Sequence, residues 1–295
     1  MTTFYRRLPR FDYVQPASLN EALSLLDRYK ADAKPLAGGT DLIPQVKGRE
    51  MAAPRVVVDL KAIPGLDAVT YDATKGLTLG AMATITTVER SPLVREHYPM
   101  LANALTTMAS PQVRNRATVT GNICTAVPSA DSAPTLLVLE AVLRLVSQKG
   151  ERLVPVTQFF TGPRQTVLGY DELITEIRIP SPPPKSRGIY LKLSPRKSMD
   201  LAVVGVAAFV VRDGDTCKDV RIALGAVAPT PIREARAEAA LQGKKLTDES
   251  IAEAASAASS ECRPIDDHRA AREYRCDMVY VLTKRALTQI REEAL

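Results

Sequence analysis

The sequence has no tryptophan, and only 5% of its 295 residues are aromatic. That scarcity disfavours a base-stacking platform or a ring-lined carbohydrate cleft, each of which needs several exposed aromatic faces. Long apolar runs are missing too. No stretch approaches the roughly 18 uninterrupted apolar residues that read as a membrane span. The opening MTTFYRRLPRFDYVQPAS carries arginines without an apolar run behind them, unlike a secretory signal. The four cysteines, Cys124, Cys217, Cys262 and Cys276, show no CxxC spacing, so reduced thiols and a cytoplasmic location are expected. A net charge of +6 without a Lys/Arg run disfavours a nucleic-acid partner. GxGxxG and GxxxxGK[ST] are both absent, which disfavours a Rossmann fingerprint or a P-loop.

What is present reads as an α+β chain. SLNEALSLLDRYKAD begins with a capping box, Ser18 and Glu21, and repeats Leu19, Ala22, Leu23, Leu26 and Tyr29 at helical spacing. RVVVDL (55–60), GLTLGAM (76–82) and ELITEIRIP read as strands, and a polar-faced helical stretch fills much of 84–108. TLLVLEAVLRLVSQ starts as a helix and finishes as a strand. Prolines 180 and 182–184 in IPSPPPKSRG can continue neither a helix nor a central strand, so a domain boundary falls there. The expected division is 1–180 and 186–295. Beyond it, GIYLKLSPRK, LAVVGVAAFVVRDG and TCKDVRIALGAV read as strands, the last two joined by a turn at Asp213-Gly214-Asp215. Helices over 231–242, 248–261 and 269–291 follow, giving an antiparallel sheet with helices on one side.

Two small-residue stretches could carry chemistry. In PLAGGTDL (35–42), adjacent glycines permit positive φ and close ligand approach, and Thr40 or Asp41 can cap a short helix. Free amides then converge near Gly38, Gly39 and Thr40, which is a phosphate cradle in physical terms. A plain strand–turn–helix connection has the same composition. RNRATVTGNICTAVPSADSAP (114–134) reads as a loop in which Gly121 turns the chain or meets a ligand. There Asn122 tolerates left-handed backbone, and Thr118, Thr125 and Ser129 add hydroxyls. Asp131 suits a hydroxyl-bearing ligand, or equally the cap of a helix starting near Ser132. Two amide-presenting loops in one domain suit a ligand with two phosphates.

AGGTDL, about eighty residues before TVTGNICTAVPSADSAPTLLVLEA, resembles the flavin-binding (medium) subunit of molybdenum hydroxylases, the xanthine dehydrogenase and carbon monoxide dehydrogenase type. The likeness continues through LSPRKSMDLAVVGVAA (193–208) and AAREYRCDMVYVLTKRAL (270–287), in order, over nearly the whole chain. It implies a two-lobed α+β FAD-binding domain followed by a smaller α+β domain, and an oxidoreductase subunit. It places an FAD pyrophosphate between the loops: Leu36, Ala37, Gly38, Gly39, Thr40 and Asp41 on one side, and Thr118, Gly121, Asn122, Cys124 and Thr125 on the other. Asp131 would reach the ribityl or adenosine hydroxyls. Lys192 falls near the isoalloxazine, where a cation favours the anionic reduced flavin; a solvated strand lysine is the alternative.

The resemblance further implies a large molybdopterin subunit and a small subunit with two [2Fe–2S] clusters, the trimer possibly doubled. Electrons would leave through FAD to an external acceptor such as NAD⁺. Thr120 departs from the family pattern, which has glycine there; a β-branched residue would be strained if that position needs positive φ. His97 and His268 lie outside both loops, so the FAD is expected to be non-covalent. No cysteine-rich insertion for an extra cluster is present, and Cys124 reads as packing. RKSMDLA, with Arg196, Lys197 and Asp200, is either a salt-bridged turn or a docking edge. Tyr274, Met278, Val281, Leu282 and Leu287 read as core at helical spacing. A stand-alone flavin-dependent oxidoreductase is the other reading, and a basic nucleic-acid-binding protein a remote third.

Overall fold

The computed structural model describes residues 7–196 and 198–293. Three sheets organise the chain, besides a two-stranded pair. In the first lobe Val56–Asp59 lies between Asp12–Val14 and Ala33–Leu36, parallel to both. All four residues of this middle strand are buried, as the run VVVD suits a strand covered on both faces. The helix Leu19–Tyr29 packs Ala22, Leu23 and Leu26 against it. Ser18 caps that helix through Glu21 N at 3.2 Å, while the Glu21 carboxylate reaches back to Ala17 N rather than to Ser18.

The second lobe is a five-stranded antiparallel sheet. Its centre, Leu173–Ile179, pairs with Gly76–Gly80 on one side and Val142–Ser147 on the other. The expected helical stretch 84–108 is three short helices, Ile85–Arg90, Pro92–His97 and Pro99–Thr106. Pro92 and Pro99 each occupy a first-turn position, where the missing N–H costs nothing, so each starts a new helix. Their inward faces are apolar, with Val88, Val94, Tyr98, Leu101 and Leu105 buried in the main core.

The C-terminal sheet runs Ser186–Leu193, Val204–Asp213, Thr216–Gly225 and Ile232–Arg233, all antiparallel. Period-two alternation splits its side chains between two cores. Val206, Ala208, Val210, Ile222 and Leu224 face the helices Ala235–Leu241, Asp248–Glu261 and Arg272–Glu292. Tyr190, Ala207, Phe209, Val211 and Ala223 face the core of the preceding domain. The C-terminal helices therefore lie on one side of their sheet, and the preceding five-stranded lobe covers the other. The helix expected from 231 begins at Ala235 because Ile232 and Arg233 join the sheet. In the last helix Leu282 and Leu287 are core, Met278 and Val281 are half-buried, and Tyr274 is exposed.

Candidate functional site: a cleft between two backbone turns

The strand Ala33–Leu36 delivers the first turn. Gly39 adopts φ +75°, a region glycine enters without strain. A Cβ on Gly38 would lie 2.2 Å from Arg116 O, so residue 38 is a glycine because the first turn rests directly on the backbone of the second stretch. Lys61, paired with Asp59 at 2.6 Å, donates to Ala37 O at 3.4 Å. Among the described residues, the amides of Gly38, Gly39 and Thr40 donate to no protein acceptor. Neither Thr40 nor Asp41 caps the helix Leu42–Gly48 with its side chain. Asp41 instead faces Arg164 and Thr125; burial pushes its carboxyl up, and those two partners pull it back.

The second stretch is helical where a loop is expected. Thr118 caps Val119–Thr125 by accepting from Gly121 N at 2.9 Å, and Ala126 ends it in the left-handed region at φ +49°. Gly121 and Asn122 are thus helical residues; the cap and tertiary packing override weak propensity. Asn122 Oδ1 accepts from Ser132 Oγ at 2.6 Å, and Thr125 Oγ1 donates to Gly121 O at 2.9 Å. Burial pushes the Cys124 thiol up to about 12, so it packs as a neutral thiol. Thr120 is helical and unstrained, contrary to the concern about positive φ. Its Oγ1 is buried without a partner among the described residues, and the residue lines the cleft.

Between the two stretches lies a cleft of about 630 Å³, within the ~300–1,000 Å³ of small-molecule sites. Ala37 to Asp41 and Thr118, Thr120 to Asn122, Cys124 and Thr125 line it, with apolar walls from Ile85, Met108, Val113 and Ile174. Leu36 does not line it; its side chain packs beneath Gly39. Met199, Asp200 and Leu201 reach it from the second domain, so the cleft lies where the two domains meet. Their turn carries an Arg196–Asp200 bridge at 3.1 Å and is tied to Ala109 O by Ser198 Oγ. Lys197 lies outside the described residues.

Asp131 and Lys192 form one buried unit. Lys192 Nζ donates to Asp131 Oδ2 at 2.8 Å and to Thr107 O at 3.1 Å, and Tyr190 donates to Asp131 Oδ1 at 2.7 Å. Burial pushes the Asp131 carboxyl up, against the opposing charge and hydrogen bond of Lys192. Lys192 is therefore a buried, paired cation rather than a solvated one, with only 6% of its side chain exposed. It does not line the cleft; Asp131 does, and it places no capping bond on the helix Ser132–Val138. Tyr190 was not singled out by motif. Its signal is positional: two residues from Lys192 on a strand puts both on one face. Thr120 stands out in the sequence only as a departure from the family's glycine, and Arg164 carries no signal there, because the placement of each depends on contacts across the cleft.

Unpaired backbone donors, an unpaired buried hydroxyl and apolar walls around one cleft define a site for an elongated anionic ligand with an apolar ring system, and the amides fit the diphosphate of FAD. The family described as "FAD binding domain in molybdopterin dehydrogenase" matches residues 9–182, and "CO dehydrogenase flavoprotein C-terminal domain" matches 189–290. The chain is 38% identical to the carbon monoxide dehydrogenase medium chain of Hydrogenophaga pseudoflava, covering 95% of this chain and 96% of that one. It is 33% identical to the putative xanthine dehydrogenase FAD-binding subunit XdhB of Escherichia coli K12, over 94% of each. A solved carbon monoxide dehydrogenase from Hydrogenophaga pseudoflava superposes with a TM-score of 0.92, over 96% of this chain and 97% of that one at 38% identity. Another, from Oligotropha carboxidovorans, gives 0.93 at 32% identity, over 98% of this chain and 100% of that one. The chain belongs to the FAD-binding medium subunits of the molybdenum hydroxylases, and is an oxidoreductase component whose own cofactor is FAD. Among the described residues no helix is long and apolar enough to cross a membrane.

Proposed function

We propose that this chain is an electron relay. It receives electrons from [2Fe–2S] clusters on a small partner subunit and delivers them to an external acceptor such as NAD⁺, while a large molybdopterin subunit oxidises the organic substrate. The observation that carries the reading is the cleft onto which both the turn at Gly38–Thr40 and the helix Val119–Thr125 open, with unpaired amides on one wall. Bound FAD supplies the redox chemistry, since a flavin accepts electrons singly and releases them as a pair.

The chain's own residues bind and position. The amides of Gly38, Gly39 and Thr40 and the hydroxyl of Thr120 would hold the diphosphate, with Leu36 and Ala37 shaping the turn from behind. Thr118, Gly121, Asn122, Cys124 and Thr125 form the opposite wall. Asp131, held by Tyr190 and Lys192, offers its remaining lone pairs to ligand hydroxyls. Lys192 is then a positioning residue whose charge acts on the flavin through Asp131. We assign 1–180 to the FAD-binding domain and 186–295 to the C-terminal domain, in a cytoplasmic complex that can double into a dimer of heterotrimers. The names and titles of the relatives, which include a reconstituted carbon monoxide dehydrogenase, support multi-subunit work.

Native purification with a visible spectrum tests this. Non-covalent flavin together with two further chains carrying iron and molybdenum is the expected result. Flavin on a single chain would favour a stand-alone oxidoreductase, and a colourless chain that takes up no FAD would refute the site.

A further inference from the structure

Two cysteines from consecutive helices meet in the C-terminal domain. Cys262 follows the helix Asp248–Glu261 as its C-cap, and Cys276 lies in the second turn of Arg272–Glu292, 14 positions later. Their Sγ atoms are 2.9 Å apart. A disulfide needs about 2.05 Å, so the sulfurs have less than an ångström to travel. The helices are already held together at this point, because Ser259 Oγ donates to Cys276 O at 2.8 Å; Cys262 Sγ donates to Ser259 O of its own helix at 3.1 Å. Closing the bond therefore requires side-chain adjustment rather than helix movement.

The two thiols differ in access. Cys262 is buried at 5% exposure, whereas Cys276 is half-buried. Burial, then Cys276 itself, pushes the Cys262 thiol up to about 12, so Cys262 resists forming the thiolate that attacks an oxidant. The other thiols have no such neighbour: no sulfur–sulfur contact involves Cys124 or Cys217 among the described residues. The segment between the pair borders the cleft's support. Arg263 N donates to Val227 O at 2.7 Å, Arg275 donates to Val203 O at 2.8 Å, and Ala226 N donates to Pro128 O at 2.7 Å, beside the cleft-lining Val127.

We propose that Cys262 and Cys276 form a reversible dithiol–disulfide site whose oxidant is a hydroperoxide. Cys276 thiolate attacks the peroxide O–O bond, becoming a sulfenic acid and releasing water or an alcohol. Cys262 sulfur then displaces hydroxide from the sulfenic sulfur, and its proton leaves with that hydroxide as water. Two thiols lose two electrons and two protons, and the peroxide bond takes up both. A small dithiol reverses the reaction by exchange.

The test uses the natively purified protein treated with hydrogen peroxide, then alkylated under denaturing conditions and analysed by mass spectrometry of this chain. Tryptic cleavage puts the cysteines on separate peptides, 246–269 and 276–284. The expected result is a fall from four alkylated cysteines to two, a cross-linked pair of those peptides, and recovery of four with dithiothreitol. Four alkylated cysteines after peroxide, or loss confined to Cys124 and Cys217, overturns the site. In Cys262→Ser, Cys276 accumulates as a sulfenic acid that dimedone traps. In Cys276→Ser, Cys262 stays alkylatable; a sulfenic acid on Cys262 there would overturn the order of attack.

Discussion

Replacing Gly38 by alanine adds one methyl group, and the consequence can be worked out from the geometry. The new Cβ would sit 2.2 Å from Arg116 O and 2.7 Å from Ala117 Cα, both backbone atoms that cannot rotate away. Reaching an ordinary contact of 3.4 Å requires the two turns to part by about 1.2 Å. A hydrogen bond stretched by that much from its usual ~2.9 Å is lost. Each amide-to-anion bond contributes about 1.5–3 kcal/mol. Losing two weakens FAD binding by about 3–6 kcal/mol, on the order of 10²- to 10⁴-fold in Kd.

The overpacking itself lowers stability by about 1–3 kcal/mol. The assay is the flavin-to-protein ratio after native purification, followed by FAD titration of the apoprotein and urea unfolding. Gly121→Ala is the control. Its Cβ would meet only Thr118 Oγ1, at 3.0 Å, and its backbone is helical. Alanine favours a helix over glycine by up to about 1 kcal/mol, so stability holds and any flavin loss there reports ligand approach alone. An unchanged flavin ratio and unchanged stability in Gly38→Ala would refute the packed-turn argument.

Three further outcomes are expected. Lys192→Met strands a buried carboxylate and costs about 3–5 kcal/mol in urea unfolding, most of it recovered by adding Asp131→Asn; a single variant as stable as wild type would show that the pair contributes nothing. Thr120→Val removes an unpartnered hydroxyl, so stability is kept while FAD binding weakens by about 1 kcal/mol, roughly fivefold, and unchanged affinity would remove Thr120 from the site. Glu234 is fully buried, and burial first, then the neighbouring Glu261 carboxyl, then the charge of Glu238, push its carboxyl from 4.5 up to about 8. The folded state holds that proton longer than the unfolded chain does, so stability is greatest below pH 4.5 and falls as pH rises towards 8. Glu234→Gln flattens this part of the Tm–pH profile, and a parallel profile in the variant would contradict it.

The first helix, the strands near 55–60, 76–82 and 172–180, the long C-terminal strands and helices, the break between strands at the prolines and both small-residue stretches follow from the sequence by itself; the strands Asp12–Val14 and Val69–Asp72 and the splitting of 84–108 do not. Each legible element depends on neighbours in the chain: the capping Ser18, the apolar run VVVDL, the alternation in VVGVAAFVV, the prolines that no central strand accepts. Even the identity of residue 38 as glycine is visible there, though not its reason. Local signals misjudged the second stretch, because TVTGN lacks helix propensity and becomes a helix only once Thr118 caps it and Val119 and Ile123 are buried.

The tertiary structure alone decided how the two stretches meet. Gly38 touching Arg116 and Arg164 set beside Asp41 join residues 78 and 123 positions apart, and Thr120 is left without a partner only by that arrangement. The same holds for Asp131 and Lys192, each ambiguous in its own segment. They form one buried ion pair because the C-terminal sheet turns one face onto the FAD-binding domain. A charge is cheap at the surface and costly inside, so the role of each depended on its burial, which the fold sets.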